Sequence, residues 1–284
     1  MLIQQQVEGL RSQLRQWRKA GETIGLVPTM GNLHAGHLEL IRRARELCDH
    51  CVVSIFVNPL QFAAGEDYDG YPRTFEEDRQ KLRASQVDLL FAPHVQAVYP
   101  HGESAHTRVE VPGISAILCG ASRPGHFAGV ATVVCKLLNM VQPDLAIFGE
   151  KDFQQLLVIR RMVADLAMPV EIIGVPTVRE PDGLARSSRN GYLSPHERKL
   201  APRLHDALQQ TVAAINNGET DYARLERQAE RSLREAGFKP DYFSVRRARD
   251  LAPPQPGDSG LVVLAAAYLG RARLIDNLRL TDNL

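Results

Sequence analysis

The chain has 284 residues, 44% hydrophobic and 24% charged, with a formal net charge of +1. That length accommodates two domains and a large core, while the near-zero charge excludes a broad electrostatic footprint for nucleic acid. No apolar run is long enough to span a bilayer, and residues 1–21 lack an apolar signal region and cleavage site, so the cytoplasm is expected.

Taken in chain order, residues 1–21 read as an amphipathic helix, and the apolar run Ile24–Val27 as a buried strand. That strand runs into Pro28-Thr29-Met30-Gly31-Asn32-Leu33-His34-Ala35-Gly36-His37, and a helical pattern follows over Leu38–Leu47. His34 and His37 thus sit three apart on one face of a helix's first turn. Unpaired N–H groups and the positive end of the helix dipole make that turn an anion site. Two imidazoles beside glycines suit nucleotide phosphates; zinc is the second reading, weakened because no third ligand lies nearby. Cys48-x-x-Cys51 has no second CxxC, and Cys51 opens a strand, so the thiols read as small buried hydrophobes.

Strand patterns recur at Val52–Val57, Val87–Phe91, Leu145–Phe148 and Val170–Val175, with helical patterns at Phe75–Ala84, Phe127–Val141 and Gln154–Leu166. Runs apolar on both faces that alternate with helices specify an α/β fold, a doubly wound parallel sheet. Its ligand crevice lies at the carboxyl ends of the strands, where His34, Asn58 and Gly149 fall. Asn58-Pro59-Leu60-Gln61-Phe62 offers amide donors and acceptors there. Gly149-Glu150-Lys151-Asp152-Phe153-Gln154-Gln155 offers backbone N–H groups and the Lys151 cation for a triphosphate. Glu76, Glu77 and Asp78 are expected on a solvated helix surface, and His126 in a helix-capping role. Residues 95–125 break the rhythm, with a hairpin-like insertion around Thr107–Val111.

Beyond Val178 the character changes. Helical patterns at Pro195–Asn216 and Tyr222–Ala236 precede strand patterns at Tyr242–Val245, Leu261–Ala267 and Arg273–Ile275, a smaller α+β domain. The expected domains are 1–178 and 179–284. Arg186-Ser187-Ser188-Arg189-Asn190 supplies hydroxyls and cations for phosphate on a loop able to close over ATP. On these residues alone, another His-x-Gly-His adenylyltransferase remains open, and so does a nucleotide-binding regulator or RNA-binding module that lost catalysis, though intact His34, His37, Lys151 and Gln155 and the near-zero charge count against the latter.

Longer segments narrow the choice. PTMGNLHAGH at 28–37, FVNPLQF at 56–62, YPRTFEED at 71–78, RPGHFAGVATVV at 123–134, FGEKDFQQL at 148–156, GVPTVREPDGLARSSRNGYLS at 174–194 and ARLIDN at 272–277 closely resemble the pantoate–β-alanine ligase family, over essentially the whole chain. Two departures are Cys119 and Arg186, where that family often has glutamate and an apolar residue. The resemblance implies a Rossmann-like catalytic domain with a C-terminal lid domain, and a cytoplasmic homodimer that binds neither nucleic acid nor membrane. It implies ATP-dependent ligation of pantoate to β-alanine through a pantoyl adenylate, with Mg²⁺ accompanying ATP on protein ligands that stay unassigned. Catalytic roles fall to His34, His37 and Lys151, with His37 as proton donor. Met30, Gly31, Asn32, Leu33, Ala35 and Gly36 would line ATP together with the two histidines. Gly149, Glu150, Lys151, Asp152, Val178, Arg186, Ser187, Ser188 and Arg189 would complete that set. Gln61 and Gln155 would hold pantoate, Gln61 would also meet β-alanine, and Met30 and Phe62 would cover the dimethyl carbon.

Overall fold

The computed structural model describes residues 1–62, 66 and 68–280. It forms two compact units, Met1–Glu150 with Gln155–Pro176, and Lys151–Gln154 with Thr177 onward. The last four residues of the expected second domain lie outside the described ones.

The first unit runs β1 (Leu2–Gln4), α1 (Val7–Lys19), β2 (Ile24–Thr29), α2 (Ala35–Leu47), β3 (His50–Ile55), α3 (Phe75–Ala84) and β4 (Leu89–Phe91). Short helices α4 (Val95–Val98) and α5 (Cys119–Ser122) lead to α6 (His126–Val141), β5 (Leu145–Gly149), α7 (Phe153–Asp165) and β6 (Glu171–Val175). Its six strands are ordered β1-β4-β3-β2-β5-β6, and every pair is parallel. Side chains alternate between the faces. Val27, Cys51, Val53, Leu90 and Ile147 pack against Leu40, Ile41 and Ala44 of α2 and Leu82 of α3. Leu26, Val52, Leu89 and Ala146 point the other way and are equally inaccessible. There α6, apolar nearly all round, touches β2 and α1. Each leucine or isoleucine so enclosed contributes about 1.5–3 kcal/mol.

The chain leaves β2 toward β3 and leaves the adjacent β5 toward β6, in opposite directions. Their carboxyl ends therefore diverge, the switch point at which such sheets bind ligands.

Two expectations are corrected. Leu2–Gln4 is an edge strand in register with Leu89–Phe91, and the helix begins only at Val7; three residues are too few to show a period of two. Residues 107–111 form no hairpin. Val109 N–H instead donates to Thr132 Oγ1 of α6 at 2.9 Å, so this strand-like stretch is held by a helix side chain.

The second unit contains α8 (Pro195–Leu200), α9 (Arg203–Asn216), α10 (Tyr222–Glu235), β7 (Lys239–Arg247), β8 (Leu261–Leu269) and β9 (Ala272–Arg279). Its strands form an antiparallel sheet, β7-β8-β9. Leu204 and Leu208 of α9, Leu233 of α10, and Phe243, Val263 and Leu274 of the sheet share one core. Among the described residues, no helix is long and apolar enough to cross a membrane.

All four cysteines are free, and Cys51 is buried. Burial, with the Asp88 carboxylate nearby, pushes the Cys51 thiol up to about 12; burial and Asp144 push Cys48 up to about 11. Neither is a thiolate at neutral pH, which removes the redox reading of the CxxC. At pH 8 a disulfide-exchange reagent should leave Cys51 unmodified in folded protein and modify it after denaturation; rapid labelling of the native state would contradict this burial.

Candidate active site

Between the end of β2 at Thr29 and the start of α2 at Ala35, the chain turns sharply. Gly31 takes φ +81° and Asn32 φ +50°. A Cβ on Gly31 would also stand 3.1 Å from an Asp78 oxygen, so the position demands glycine. His34 then caps α2. Its Nδ1 accepts the Gly36 N–H at 3.2 Å, while its own N–H donates to His37 Nδ1 at 3.3 Å. This is a capping box built from two histidines instead of the usual Ser/Thr and Glu.

The box dictates chemistry. Because each Nδ1 accepts a backbone N–H, hydrogen bonding assigns the proton of both neutral rings to Nε2. The rings lie 4.1 Å apart, tilted by 41°. Two Nε2–H donors thus stand at a helix N-terminus, where the dipole already favours anions. A Cβ at Gly36 would come within 2.9 Å of His34 Cε1. The His-x-Gly-His spacing is therefore a packing requirement, since glycine leaves room for the capping ring.

Asp78 holds the loop from below. It is 1% exposed and accepts the Asn32 N–H at 2.8 Å, the Leu33 N–H at 2.7 Å and the Thr74 hydroxyl at 3.2 Å. Lys81, one turn along α3, donates to the Leu33 carbonyl at 2.8 Å. The expected solvated surface is thus corrected at Asp78, whose neighbours Glu76 and Glu77 are exposed.

After β3, a 3-10 turn over Pro59–Gln61 carries the expected amide. Gln61 Nε2 donates to Met30 Sδ at 3.0 Å, and Asn58 Nδ2 donates to Gln61 Oε1 at 3.2 Å. The Gln61 carbonyl accepts from His126 Nδ1 at 2.8 Å and Arg123 Nη2 at 3.2 Å. His126 therefore fixes Gln61, which corrects its expected capping role; the helix N-cap is Gly125. A Cβ on Gly129 of α6 would lie 2.1 Å from the Leu60 carbonyl oxygen. The turn lies flat on that helix, and Met30 and Gln61 are brought together. Gln155 is half-buried in the first turn of α7. At the end of β5, a Cβ on Gly149 would meet nothing within 4 Å, which leaves open space beside that backbone.

In the second unit, Lys151 and Ser187 line one small cavity, together with Asn190 and His205. Lys151 Nζ is 3.8 Å from Asp152 Oδ2. Ser187 Oγ accepts the Arg189 N–H at 3.3 Å and caps the 3-10 turn Ser188–Tyr192. The Val178 carbonyl accepts the Arg186 N–H at 3.0 Å. Arg186 pairs with Glu180 at 2.9 Å, so this cation already has a carboxylate partner. Ser188 and Arg189 are half-buried.

The family model for pantoate-beta-alanine ligase matches residues 2–279. The chain belongs to the pantoate-beta-alanine ligase family. It is 56% identical over 279 residues to the pantothenate synthetase of Shewanella sp. (strain MR-7), covering 98% of this chain and 99% of that one. The corresponding enzyme of Idiomarina loihiensis is 58% identical over 271 residues, covering 95% and 96%. The crystal structure of pantothenate synthetase from Thermus thermophilus superposes with a TM-score of 0.93 at 50% identity, covering 99% of this chain and all of that chain. That of the ligase from Francisella tularensis, solved with beta-gamma ATP and beta-alanine, gives 0.81 at 36% identity, covering 98% and 97%. The chain is an enzyme that joins pantoate and β-alanine to form pantothenate in an ATP-dependent reaction.

Asp78, Lys81, Arg123 and His126 are what sequence reading missed. YPRTFEED and RPGHF contain three of them, yet nothing in their spacing shows that they face inward. Replacing Asp78 with alanine strands the buried Leu33 N–H and the part-buried Asn32 N–H, whose bonds to a carboxylate are worth about 1.5–3 kcal/mol each. Asp78→Ala should lower both melting temperature and kcat of the ligase, the latter by about 10-fold or more, equivalent to roughly 1.4 kcal/mol. Asp78→Asn, which keeps one acceptor oxygen, should lose less; equal losses in the two variants would refute the clamp.

Proposed function

We propose that the ligation runs through a pantoyl adenylate, and that the histidine box is the group that binds the ATP phosphates. A pantoate carboxylate oxygen attacks the α-phosphorus, and the bond to the bridging oxygen breaks to release pyrophosphate. The β-alanine amine then attacks the acyl carbon, the acyl–phosphate bond breaks, and AMP leaves as the amine gives up a proton. The observation that carries this reading is the pair of Nε2–H donors at the N-terminus of α2. Both can follow negative charge as it develops on the phosphates, where fixed donors contribute most.

Other assignments follow from the same chemistry. His37 donates the proton in the adenylation step. Lys151 adds charge to the triphosphate, joined by Arg186, Ser187, Ser188 and Arg189. Backbone from Met30 through Gly36, with Gly149, Glu150, Asp152 and Val178, completes the ATP set. Gln61 and Gln155 hold pantoate through its hydroxyl and carboxylate oxygens, and Gln61 also meets β-alanine. The Francisella tularensis complex supports ATP and β-alanine as ligands.

Among the described residues, no cluster of three or more His, Cys, Asp or Glu side chains offers a metal cage. Mg²⁺ is accordingly proposed as the companion of the triphosphate, held through phosphate oxygens and supplying counter-charge there. Family membership supports a homodimer working in the cytoplasm, with residues 1–178 catalytic and 179–284 a lid.

The deciding experiment is exchange of labelled pyrophosphate into ATP with Mg²⁺ and pantoate present and β-alanine omitted. Pantoate-dependent exchange is expected; its absence from active ligase would eliminate the adenylate. His37→Ala should keep the fold and lose exchange by about 100-fold, the usual cost of one such donor. Exchange near the wild-type rate in that variant would remove His37 from the mechanism.

A further inference from the structure

The ARLIDN segment ends in two polar residues that no step above uses. Asp276 and Asn277 sit near the end of β9, only 4% and 6% exposed. The Asp276 carboxylate receives both arms of Arg179, at 2.7 and 2.9 Å, and lies 3.5 Å from His205 Nδ1. Burial alone would raise its pKa, but His205, Arg179 and the Asn277 N–H together hold it below the ordinary carboxylate range.

The same guanidinium donates to the Gly183 carbonyl at 3.0 Å and to the Asn277 carbonyl at 3.3 Å. Arg179 also bridges to Ala185, two residues before Ser187. The Asn277 side chain points away from this cluster: its Nδ2 donates to the Lys151 carbonyl at 3.0 Å, across 126 residues of sequence.

An apolar cluster would hold β9 as firmly, since a buried ion pair adds little net stability over well-packed hydrophobes. Fully hydrogen-bonded networks add direction. Here the direction runs from one carboxylate through Asn277 to the backbone of Lys151, and through Arg179 to its bridge partner Ala185, two residues before Ser187.

We infer that Asn277 is a positioning residue that sets the backbone of Lys151 for ATP, with the Arg179–Asp276 pair as the anchor holding Asn277 in place. This rests on the assignment of Lys151 to the triphosphate. Asn277 touches no substrate in this account and acts through the lysine alone.

The test is calorimetric ATP binding by the full-length protein, with Asn277→Leu alone, Lys151→Ala alone, and both together. Losing the donor should weaken ATP binding about 10-fold in Asn277→Leu, and less than twofold when added to Lys151→Ala, since coupled residues are not additive. The KM for β-alanine should stay within twofold of wild type, a split that a general loss of structure would not give. Unchanged ATP affinity in folded Asn277→Leu, or a full 10-fold loss in the Lys151→Ala background, would overturn the proposal. Should Asn277→Leu not fold, Asn277→Ala removes the same donor without adding charge and is read identically. Lys151→Ala that binds ATP like wild type would sink the lysine assignment and this inference together. Normal Asn277 coupling without pyrophosphate exchange would sink only the adenylate reading.

Discussion

A helix that begins with unpaired amides must find acceptors for them, and at α2 the acceptors are imidazole nitrogens. The geometry of the loop from Thr29 to His37 can be understood from that choice. Spending Nδ1 on the backbone commits each ring to its other tautomeric face, so the edge opposite the cap is the one proposed to meet phosphate. The cap leaves no room for a side chain at Gly36, and the turn before it demands a glycine at Gly31. A motif that looks like a catalytic signature is in large part a statement about how a helix starts.

Around this start the protein places charges where a smaller core would place methyl groups. Asp78 and Lys81 grip successive backbone groups of the histidine loop from α3. Arg123, itself paired with Glu66 at 2.6 Å, joins His126 in gripping Gln61. Arg179 and Asp276 do the same for the second unit. In each case a charged or ring side chain ends on backbone atoms of a loop or strand. Apolar packing fixes how far apart elements lie, whereas hydrogen bonds also fix their rotation, and a site for in-line attack on phosphorus needs both.

The legible parts of the fold are those in which one period dominates. Phe75–Ala84 reads as a helix with the ends it has, and strands β2 to β6 lie within two residues of their sequence patterns, because apolar runs mark them and β2 to β5 are buried along most of their length. β1 is illegible because Leu2 and Ile3 are exposed and three glutamines follow them, so no apolar run marks it, and residues 107–111 mislead because alternation also suits extended chain that pairs with a side chain. The residues proposed for phosphate were readable as strand-end positions: His34 lies in the loop after β2 and Gly149 ends β5. Asp78 was not: an acid in a helix's first turn is the commonest surface residue there, and only the tertiary approach of residues 32 and 33 turns it inward. Asn277 is hidden for the same reason, since its partner lies 126 residues away.

The clamp on the histidine loop also imposes an order of events on synthesis. Leu33 and the carboxylate that receives its amide are separated by 45 positions, so a ribosome adding about 5–20 residues per second exposes the loop roughly 2–9 s before its anchor. β2 waits longer still for β5, which lies about 120 residues downstream. During vectorial emergence the nascent chain therefore carries the histidine loop without the anchor that fixes its geometry. Substrate recognition arrives late, as a property of the completed sheet.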